Sequence, residues 1–364
     1  MDNGNLGSWA ACRRILCIRP DNMGDVLMSS PAIRALKETF GCHVALLTSE
    51  KGAAAAHLNP FIDEVIVCDL PWQKFFDRDP GADSVLGLVN SLRERNYDGC
   101  VVLTVYSQNP MPCIMLGYLA GIPRRLAYCR ENPYGLLTNW LPDKEPYSVI
   151  LHQVTRDLDL VAAIGAQPSD DHLVASVSDA ARRQMHAVLK TKVKDSQKPL
   201  LLISPQASES RRGLSPDYWS DLLALLHATG AYSLVLCGTA GQRKELNVLS
   251  AAAPDAITLA GELAVDELAA LIECAAVVLT VNTGTVHLAA ALGTPVCVLY
   301  ARTNPQHTPW KVVNKVFYYS PETAPSRNEV VAYVNGLLYQ EQLPPPHPET
   351  VVAELGQLCR IAAP

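Results

Sequence analysis

Short apolar runs alternate with segments of helical periodicity along most of this chain. The runs are rich in Val, Ile and Leu and are bounded by turn residues, which is typical of buried strands. In the first half, strands are predicted at 13–19, 43–48, 64–68, 99–104 and 125–128, and helices near 26–37, 50–58, 83–95 and 110–121. Regular alternation of strand and helix predicts an α/β fold with a parallel sheet and helices on both faces.

A polar segment divides the chain into two similar halves. Residues 149–165 form a predicted amphipathic helix, and the chain then turns polar up to a lysine-rich stretch at 191–199. The second half begins with an apolar strand at 200–205, and further strands are predicted at 232–237, 257–261, 277–281 and 295–300. We therefore predict one domain over 1–190, a second over 198–340, and a last helix within 341–364.

The stretch 277–295 has the clearest features of a ligand-binding turn. A buried strand passes through a short polar turn into an alanine-rich helix. Amides at a helix start have no partner inside the helix, and the helix dipole favours negative charge there, so this turn can hold a phosphate. The candidate residues are Asn282, Thr283, Gly284, Thr285 and His287. The alternative is an ordinary strand–helix unit in which Asn or Thr only caps the helix.

A second candidate lies in the turn at 20–25, which joins the first strand to the first helix. Asp25 lies near the helix start, at the sheet edge where open α/β proteins bind ligands. The dipole also stabilises a carboxylate there without any chemical role, so a purely structural function is the alternative. The turn contains Gly24 but not the Gly-x-Gly-x-x-Gly pattern of dinucleotide folds, which argues against a nicotinamide or flavin enzyme.

Two further features suggest polar contacts. Arg211 and Arg212 follow the strand at 200–205, and guanidinium groups match phosphate oxygens bidentately. Solvated surface charges are the alternative for this pair. His152 lies on the apolar side of the helix predicted at 149–165, where the pattern alone favours a packed histidine over a catalytic one.

Composition narrows the class of protein. The chain has 364 residues, 49% of them hydrophobic and 18% charged, and a net charge of -6, which argues against a general nucleic-acid surface. Apolar runs fall short of the ~20 residues of a membrane span, and the N-terminus does not resemble a signal peptide, so we expect a soluble, cytoplasmic protein. Several of the 11 cysteines lie inside apolar runs, and none has zinc-site spacing, so neither disulfides nor a metal site are predicted.

Several motifs, taken in order, resemble glycosyltransferase family 9, the heptosyltransferases, over roughly residues 13–309. They are Met23-Gly-Asp-Val-Leu27, the segment at 122–128, His152 with its helix, Ser204-Pro-x-Ala-Ser208, and the turn and helix at 282–295. The resemblance implies the GT-B fold, with two facing Rossmann-like domains and an interdomain cleft. The N-terminal domain would bind the acceptor and the C-terminal domain the nucleotide sugar, and we expect the last helix to pack back toward the N-terminal domain.

The resemblance also implies an inverting, metal-independent transfer without a cofactor. Asp25 corresponds to the proposed general base, which deprotonates the acceptor hydroxyl. Residues implied to contact the donor are Ser204, Arg211, Arg212, Gln242, Asn282, Thr283, Gly284, Thr285 and His287. Residues implied for the acceptor side are Met23, Gly24, Arg124, Arg125 and His152. The expected donor is a nucleotide diphosphate sugar, with ADP-heptose favoured.

The chain departs from the family pattern at three donor positions. Asn282 replaces the usual Asp, Gly213 follows Arg212 in place of an aromatic residue, and Gln242 replaces an acidic residue. The acceptor stays open between lipopolysaccharide core, a protein and a small natural product, with at most peripheral membrane contact. Two alternative functions are a nucleotide-sugar 2-epimerase of GT-B fold and a nucleotide-sugar-binding protein without catalysis.

Overall fold

The computed structural model describes residues 9–73, 80–207, 212–321 and 326–362. The chain divides into two compact units, Met1–Val174 and Ala175–Pro364. Each unit is built on a six-stranded sheet whose neighbouring strands all run parallel.

The first unit follows the predicted alternation of strands and helices. Its strands are β1 (Arg14–Arg19), β2 (His43–Thr48), β3 (Glu64–Val67), β4 (Gly99–Val102), β5 (Arg124–Cys129) and β6 (Asn139–Pro142). Its helices are α1 (Met23–Met28), α2 (Ser30–Phe40), α3 (Glu50–Ala56), α4 (Gly81–Glu94), α5 (Met111–Leu119) and α6 (Gln153–Ala162). The strand order across the sheet is β3-β2-β1-β4-β5-β6.

The central strands are buried on both faces. Residues Ile15 to Ile18 of β1 are all 0% exposed, and Leu16 and Ile18 pack into one core together with Leu92 of α4 and Ile114 of α5. Because helices cover both faces of a parallel sheet, such strands are continuous apolar runs without alternation. The apolar runs in the sequence therefore located the central strands.

The second unit repeats the plan of the first. Its strands are β7 (Leu200–Ser204), β8 (Ser233–Leu236), β9 (Ile257–Thr258), β10 (Val277–Val281), β11 (Val296–Ala301) and β12 (Asn314–Tyr319). Its helices are α7 (Asp179–Lys192), α8 (Pro216–Thr229), α9 (Arg243–Leu249), α10 (Val265–Cys274), α11 (Gly284–Ala291), α12 (Glu329–Leu338) and α13 (Pro348–Ala362). The strand order is β12-β11-β10-β7-β8-β9, which is the order of the first sheet when strands are counted from β7.

This strand order determines where each unit can bind a ligand. The chain leaves β1 toward one side of the first sheet and later returns to place β4 on the other side of β1. In the second sheet, β7 and β10 have the same relation. Open α/β sheets bind ligands outside the carboxyl ends of the strands at such a switch point. The loops after β1, β4, β7 and β10 are therefore the places to look for function.

Several elements differ from the sequence-based expectation. The polar stretch before residue 198 contains α7, which packs against α10 of the second unit, so the second unit starts before the predicted boundary. Only Ala181 and Met185 of α7 are buried, which explains its weak apolar pattern. The edge strands β6 and β12 were not predicted. The helix predicted at 26–37 is divided at Ser29 into α1 and α2.

The last helix packs on its own unit. α13 contacts α8 and the strands β10, β11 and β12. Its apolar residues Val351, Leu355 and Leu358 join the core of the second unit. Burial of this apolar stripe stabilises the helix against the sheet.

All cysteines are free thiols, and Cys17, Cys100, Cys237 and Cys297 are buried core residues. Within the residues that the structure describes, none of the helices combines the length and apolar character of a membrane span.

Candidate functional site

In the first unit, the carboxyl end of β1 positions Asp25. The strand ends at Arg19, and Asp25 is the third residue of α1. The backbone N–H of Asn22 donates to Oδ2 of Asp25 at 3.3 Å, as in a capping box. The Asp25 side chain is 19% exposed, so it is held by the helix start yet reachable from solvent.

A buried arginine contacts the same carboxylate. The side chain of Arg19 is 0% exposed, and its Nη2 donates to Oδ1 of Asp25 at 3.3 Å. Its Nε lies 3.1 Å from Oδ2 of Asp21, which is 11% exposed. One guanidinium thus lies between two carboxylates at the end of the strand.

Asp21 is held firmly in this cluster. Nε2 of Gln108, in the loop after β4, donates to Oδ1 of Asp21 at 2.6 Å, and Oγ of Ser49 donates to the backbone carbonyl of Asp21 at 2.6 Å. Burial raises the pKa of Asp21 to about 6; the nearby Asp25 carboxylate adds to this, while Arg19 opposes it. The loops after β1 and β4 therefore meet at the switch point.

A third carboxylate faces Arg19 from α6. Asp157 is buried, and it accepts hydrogen bonds from Oγ of Ser29 at 2.6 Å and from Nε2 of Gln153 at 2.8 Å. Burial raises the pKa of Asp157, and the charge of Arg19 opposes this shift. The sequence analysis did not identify Arg19, Asp21 or Asp157. All three are charged residues that lie next to, or within, apolar runs, and this pattern could have identified them.

A second buried arginine stabilises the neighbouring loops. Nη1 and Nη2 of Arg156 each donate to Asp143 at 2.9 Å, and Nη1 also donates to Oε2 of Glu145 at 2.6 Å. Its Nε donates to the carbonyl of Thr104, just after β4, at 2.9 Å. This cluster attaches α6 to the carboxyl end of the sheet.

Three of the residues implied for the acceptor lie at this same edge. Met23 and Gly24 form the first turn of α1, beside Asp25. His152 is the N-cap of α6, and its Nδ1 accepts a hydrogen bond from the N–H of Val154 at 3.2 Å. It is therefore a capping residue that precedes the helix, not a residue on its apolar face as the sequence suggested.

Arg124 and Arg125 lie at the amino-terminal ends of the strands, opposite the end that carries Asp25. They begin β5, where Arg124 pairs with Gly99, and Gly99 pairs with Ile15 near the start of β1. Because β1 continues for four more residues to Arg19, this level is about 13 Å from the carboxyl end. Arg125 also donates to the backbone carbonyls of Ile122, Leu136 and Gly135. The structure does not bring these arginines to Asp25.

In the second unit, α11 begins directly after β10. Thr283 is the N-cap with extended backbone, but its side chain does not cap the helix. Its Oγ1 lies 3.5 Å from Oγ1 of Thr280 instead. Since the first amides of a helix have no intrahelical partner, those of Gly284 and Thr285 are available for an anion. The capping alternative is therefore not what Thr283 does in this structure.

Asn282 and Arg212 lie by the carboxyl ends of β11 and β12. Nδ2 of Asn282 donates to the carbonyl of Ala301 at 3.3 Å and approaches Oγ1 of Thr303 at 3.4 Å, so it does not cap α11. The carbonyl of Arg212 accepts a hydrogen bond from the hydroxyl of Tyr319, the last residue of β12, at 2.5 Å. Burial raises the pKa of Tyr300, while the charge of Arg212 and a hydrogen bond with Asn282 oppose this shift.

Ser204 and Gln242 lie at the same sheet edge. Ser204 ends β7 opposite Thr280, whose hydroxyl donates to the Ser204 carbonyl at 3.1 Å. Oε1 of Gln242 accepts from the N–H of Thr239 at 2.8 Å and so closes the turn after β8. Arg211 lies outside the described residues.

His287 is 5% exposed, and its ring contacts His307 edge-on, with 6.2 Å between ring centres. His307 follows β11 in the same loop as Thr303, and the sequence analysis identified neither. Proline-bounded polar residues at 302–309 were the available signal. In the second unit, most of the predicted donor residues thus gather at the carboxyl ends of β7, β10 and β11.

The fold and these two sheet edges define a class: a two-domain α/β protein with an uncapped helix start at one switch point and a carboxylate beside a buried arginine at the other. The sequence profile of glycosyltransferase family 9 (heptosyltransferase) matches residues 85–333, more than half of the chain. The chain belongs to this family and is a glycosyltransferase.

Individual relatives agree with this assignment. Lipopolysaccharide heptosyltransferase 2 of Escherichia coli is 26% identical over 304 residues, covering 81% of this chain and 85% of the relative. Lipooligosaccharide heptosyltransferase 2 of Haemophilus influenzae is 25% identical over 305 residues, with the same coverage of both chains.

Solved structures show the same fold. The family 9 glycosyltransferase of Veillonella parvula superposes with a TM-score of 0.76 at 18% identity, covering 96% of this chain and 98% of that one. The ADP-heptose lps heptosyltransferase II of E. coli superposes with a TM-score of 0.71 at 22% identity, covering 96% and 99%. The GT-B fold predicted from the sequence is confirmed.

Proposed function

We propose that this glycosyltransferase transfers a heptose from a nucleotide diphosphate to an acceptor hydroxyl, with inversion and without a metal ion, and that Asp25 is the general base. The observation that carries the proposal is the Asp25 carboxylate at the switch point of the first sheet. It is oriented by Asn22 and Arg19 yet reachable from solvent. A general base needs this combination of fixed orientation and access.

In the proposed reaction, Asp25 takes the proton of the acceptor hydroxyl while the oxygen forms a bond to the anomeric carbon. The bond between that carbon and the diphosphate oxygen breaks, and the nucleoside diphosphate leaves with the electron pair. Attack from the face opposite the leaving group inverts the anomeric centre. A correctly placed base contributes about 10²–10⁴-fold to the rate.

We assign stabilisation of the leaving group to the second unit. The amides at the start of α11 and the guanidinium of Arg212 offer positive charge where negative charge develops. Ser204, Arg211, Gln242, Asn282, Thr285 and His287 complete the proposed donor site. Because amides and a guanidinium can offset the charge of a leaving diphosphate, the proposal does not require a metal ion.

ADP-heptose is the proposed donor. A solved E. coli relative, heptosyltransferase WaaC, contains ADP, and another structure of it contains ADP-2-deoxy-2-fluoro heptose. The names of the curated relatives support a lipopolysaccharide saccharide as the acceptor. Met23, Gly24 and His152 are the proposed acceptor contacts. We leave out Arg124 and Arg125 because they lie at the opposite edge of the sheet.

Asp25→Asn tests the base in the full-length chain. We expect kcat for ADP release in the presence of acceptor to fall about 10²–10⁴-fold. The thermal shift caused by ADP-heptose should remain, since the donor is bound by the other unit. Asp143→Asn is a matched control, because Asp143 also pairs with a buried arginine, which is Arg156 and not Arg19. Full activity of Asp25→Asn would refute the assignment.

Three further measurements test the rest of the proposal. We expect activity to persist in the presence of a chelator. We also expect NMR to show that the product has the inverted anomeric configuration. A thermal-shift panel of ADP-, GDP-, UDP- and dTDP-sugars should respond to the ADP compound alone. Release of an epimer or free sugar without acceptor would favour the 2-epimerase, and binding without turnover would favour the inactive binding protein.

A further inference from the structure

We propose that Arg19 and Asp21 are positioning residues for Asp25: the shared guanidinium orients the Asp25 carboxylate, and the charge on Asp21 determines how readily Asp25 accepts a proton. This inference rests on the proposed role of Asp25 as the base. It extends that role to two residues for which the resemblance implied no function.

The geometry is that of one cation shared by competing anions. Arg19 is fully buried and lies 3.3 Å from Asp25 and 3.1 Å from Asp21, and it also interacts electrostatically with Asp157. Three carboxylates thus face one guanidinium. When all of them are ionised, the cluster carries two negative charges in excess, so protons bind to it more readily.

The coupling between Asp21 and Asp25 has a definite sign. The Asp25 carboxylate helps to raise the pKa of Asp21. Repulsion between two carboxylates is mutual, so an ionised Asp21 beside the same guanidinium favours the uptake of a proton by Asp25. A base that binds a proton more tightly removes the acceptor proton more effectively, provided that it is ionised at the working pH.

Neighbouring elements place further polar and charged groups around the cluster. From the loop after β4, Gln108 donates to Asp21, and from α6, Gln153 donates to Asp157. The helix α3 packs against α1 and places Glu50 and Lys51 in its first turn. Of all these groups, Asp21 shares with Asp25 both the guanidinium and the loop that follows β1.

The alternative is a salt bridge that only stabilises the fold. Asp21→Asn separates the two possibilities, because the amide oxygen still accepts from Gln108 while the negative charge is removed. With Asp21→Asn we expect the acidic limb of the pH profile of kcat/KM to move to lower pH by at least about half a unit. A merely structural role would change stability but would not move this limb.

Asp143→Asn is the control, since it removes a carboxylate from the other buried arginine of the same unit. Its acidic limb should stay at the wild-type pH. The proposal is overturned if the limb of Asp21→Asn moves no further than that of the control, or moves to higher pH.

Arg19→Lys tests the orienting role. It keeps the charge but loses the planar fork, so we expect kcat to fall about tenfold or more while KM for the donor stays near the wild-type value. If this variant does not fold, the pH profile of Asp21→Asn still tests the proposal. Inactive Asp25→Asn together with an unmoved limb in Asp21→Asn would refute this inference alone, whereas fully active Asp25→Asn would refute the proposed base itself.

Discussion

The buried carboxylate of Asp21 predicts an unusual dependence of stability on pH. Its pKa in the folded protein is about 6, because burial raises it from the value of 3.8 that we take for the unfolded chain. The folded chain therefore binds more protons than the unfolded chain between these two values. The stabilisation from protonated Asp21 is complete below about pH 4 and is lost as the pH rises through 6.

The size of the effect follows from the pKa difference. A difference of about two units corresponds to roughly 3 kcal/mol at 1.36 kcal/mol per unit. By linkage, about 2 kcal/mol of this is gained between pH 7.5 and pH 4.5. Asp21→Asn removes the titrating group. The unfolding free energy of wild type minus that of the variant should therefore increase by about 2 kcal/mol as the pH falls from 7.5 to 4.5.

Urea denaturation of both proteins at several pH values measures this difference. Hydrogen exchange of amides in β1 reports on the first unit separately, because the two units need not unfold together. Asp255→Asn is the control. A hydrogen bond from Lys194 lowers the pKa of Asp255, and a lysine stays charged throughout this range, so the difference from wild type should be nearly constant. A flat or falling difference for Asp21→Asn would refute the reasoning.

Further predictions concern the stability of four variants and can be checked by denaturant unfolding. Arg156→Met should cost about 3–5 kcal/mol, because it leaves the buried Glu145 without this cation and Asp143 with Arg130 alone, at 3.8 Å; a cost below 1 kcal/mol would contradict this. Gly261→Ala should cost about 2–4 kcal/mol, since its φ is 67° and an added Cβ would lie 2.4 Å from a neighbouring backbone atom. Gly293→Ala, with φ of 73° but open space, should cost only about 1 kcal/mol. Ser215→Ala should cost about 1 kcal/mol by removing the cap that accepts from the third amide of α8.

The repeated strand order gives each unit its own ligand-binding edge. In the first unit this edge holds a carboxylate surrounded by other charges, and in the second it holds uncapped amides and an arginine. The first set suits proton transfer, and the second suits a diphosphate. This division of chemistry between two similar sheets is the physical basis of the proposed transfer.

The sequence located both candidate turns because their signals are local. Asp25 follows an apolar strand within a few residues, and Asn282–His287 joins a strand to a helix without interruption. By contrast, Arg124 and Arg125 were grouped with Asp25 by resemblance alone. Both arginines stand at the start of β5. Because the strands are parallel, the starts of strands lie at the opposite end of the sheet from Asp25, which follows the end of β1.

By itself, the sequence determined the α/β class, two similar halves and the turns at which polar residues follow buried strands, since burial on both faces leaves continuous apolar runs. Only the tertiary structure decided which strands are neighbours, and so which loops meet. The hydrogen bond between Ser29 and Asp157 joins residues 128 positions apart, and it brings a third carboxylate to Arg19. Apolar periodicity indicates whether a side chain is buried. It does not indicate which residue, distant in the sequence, that side chain contacts.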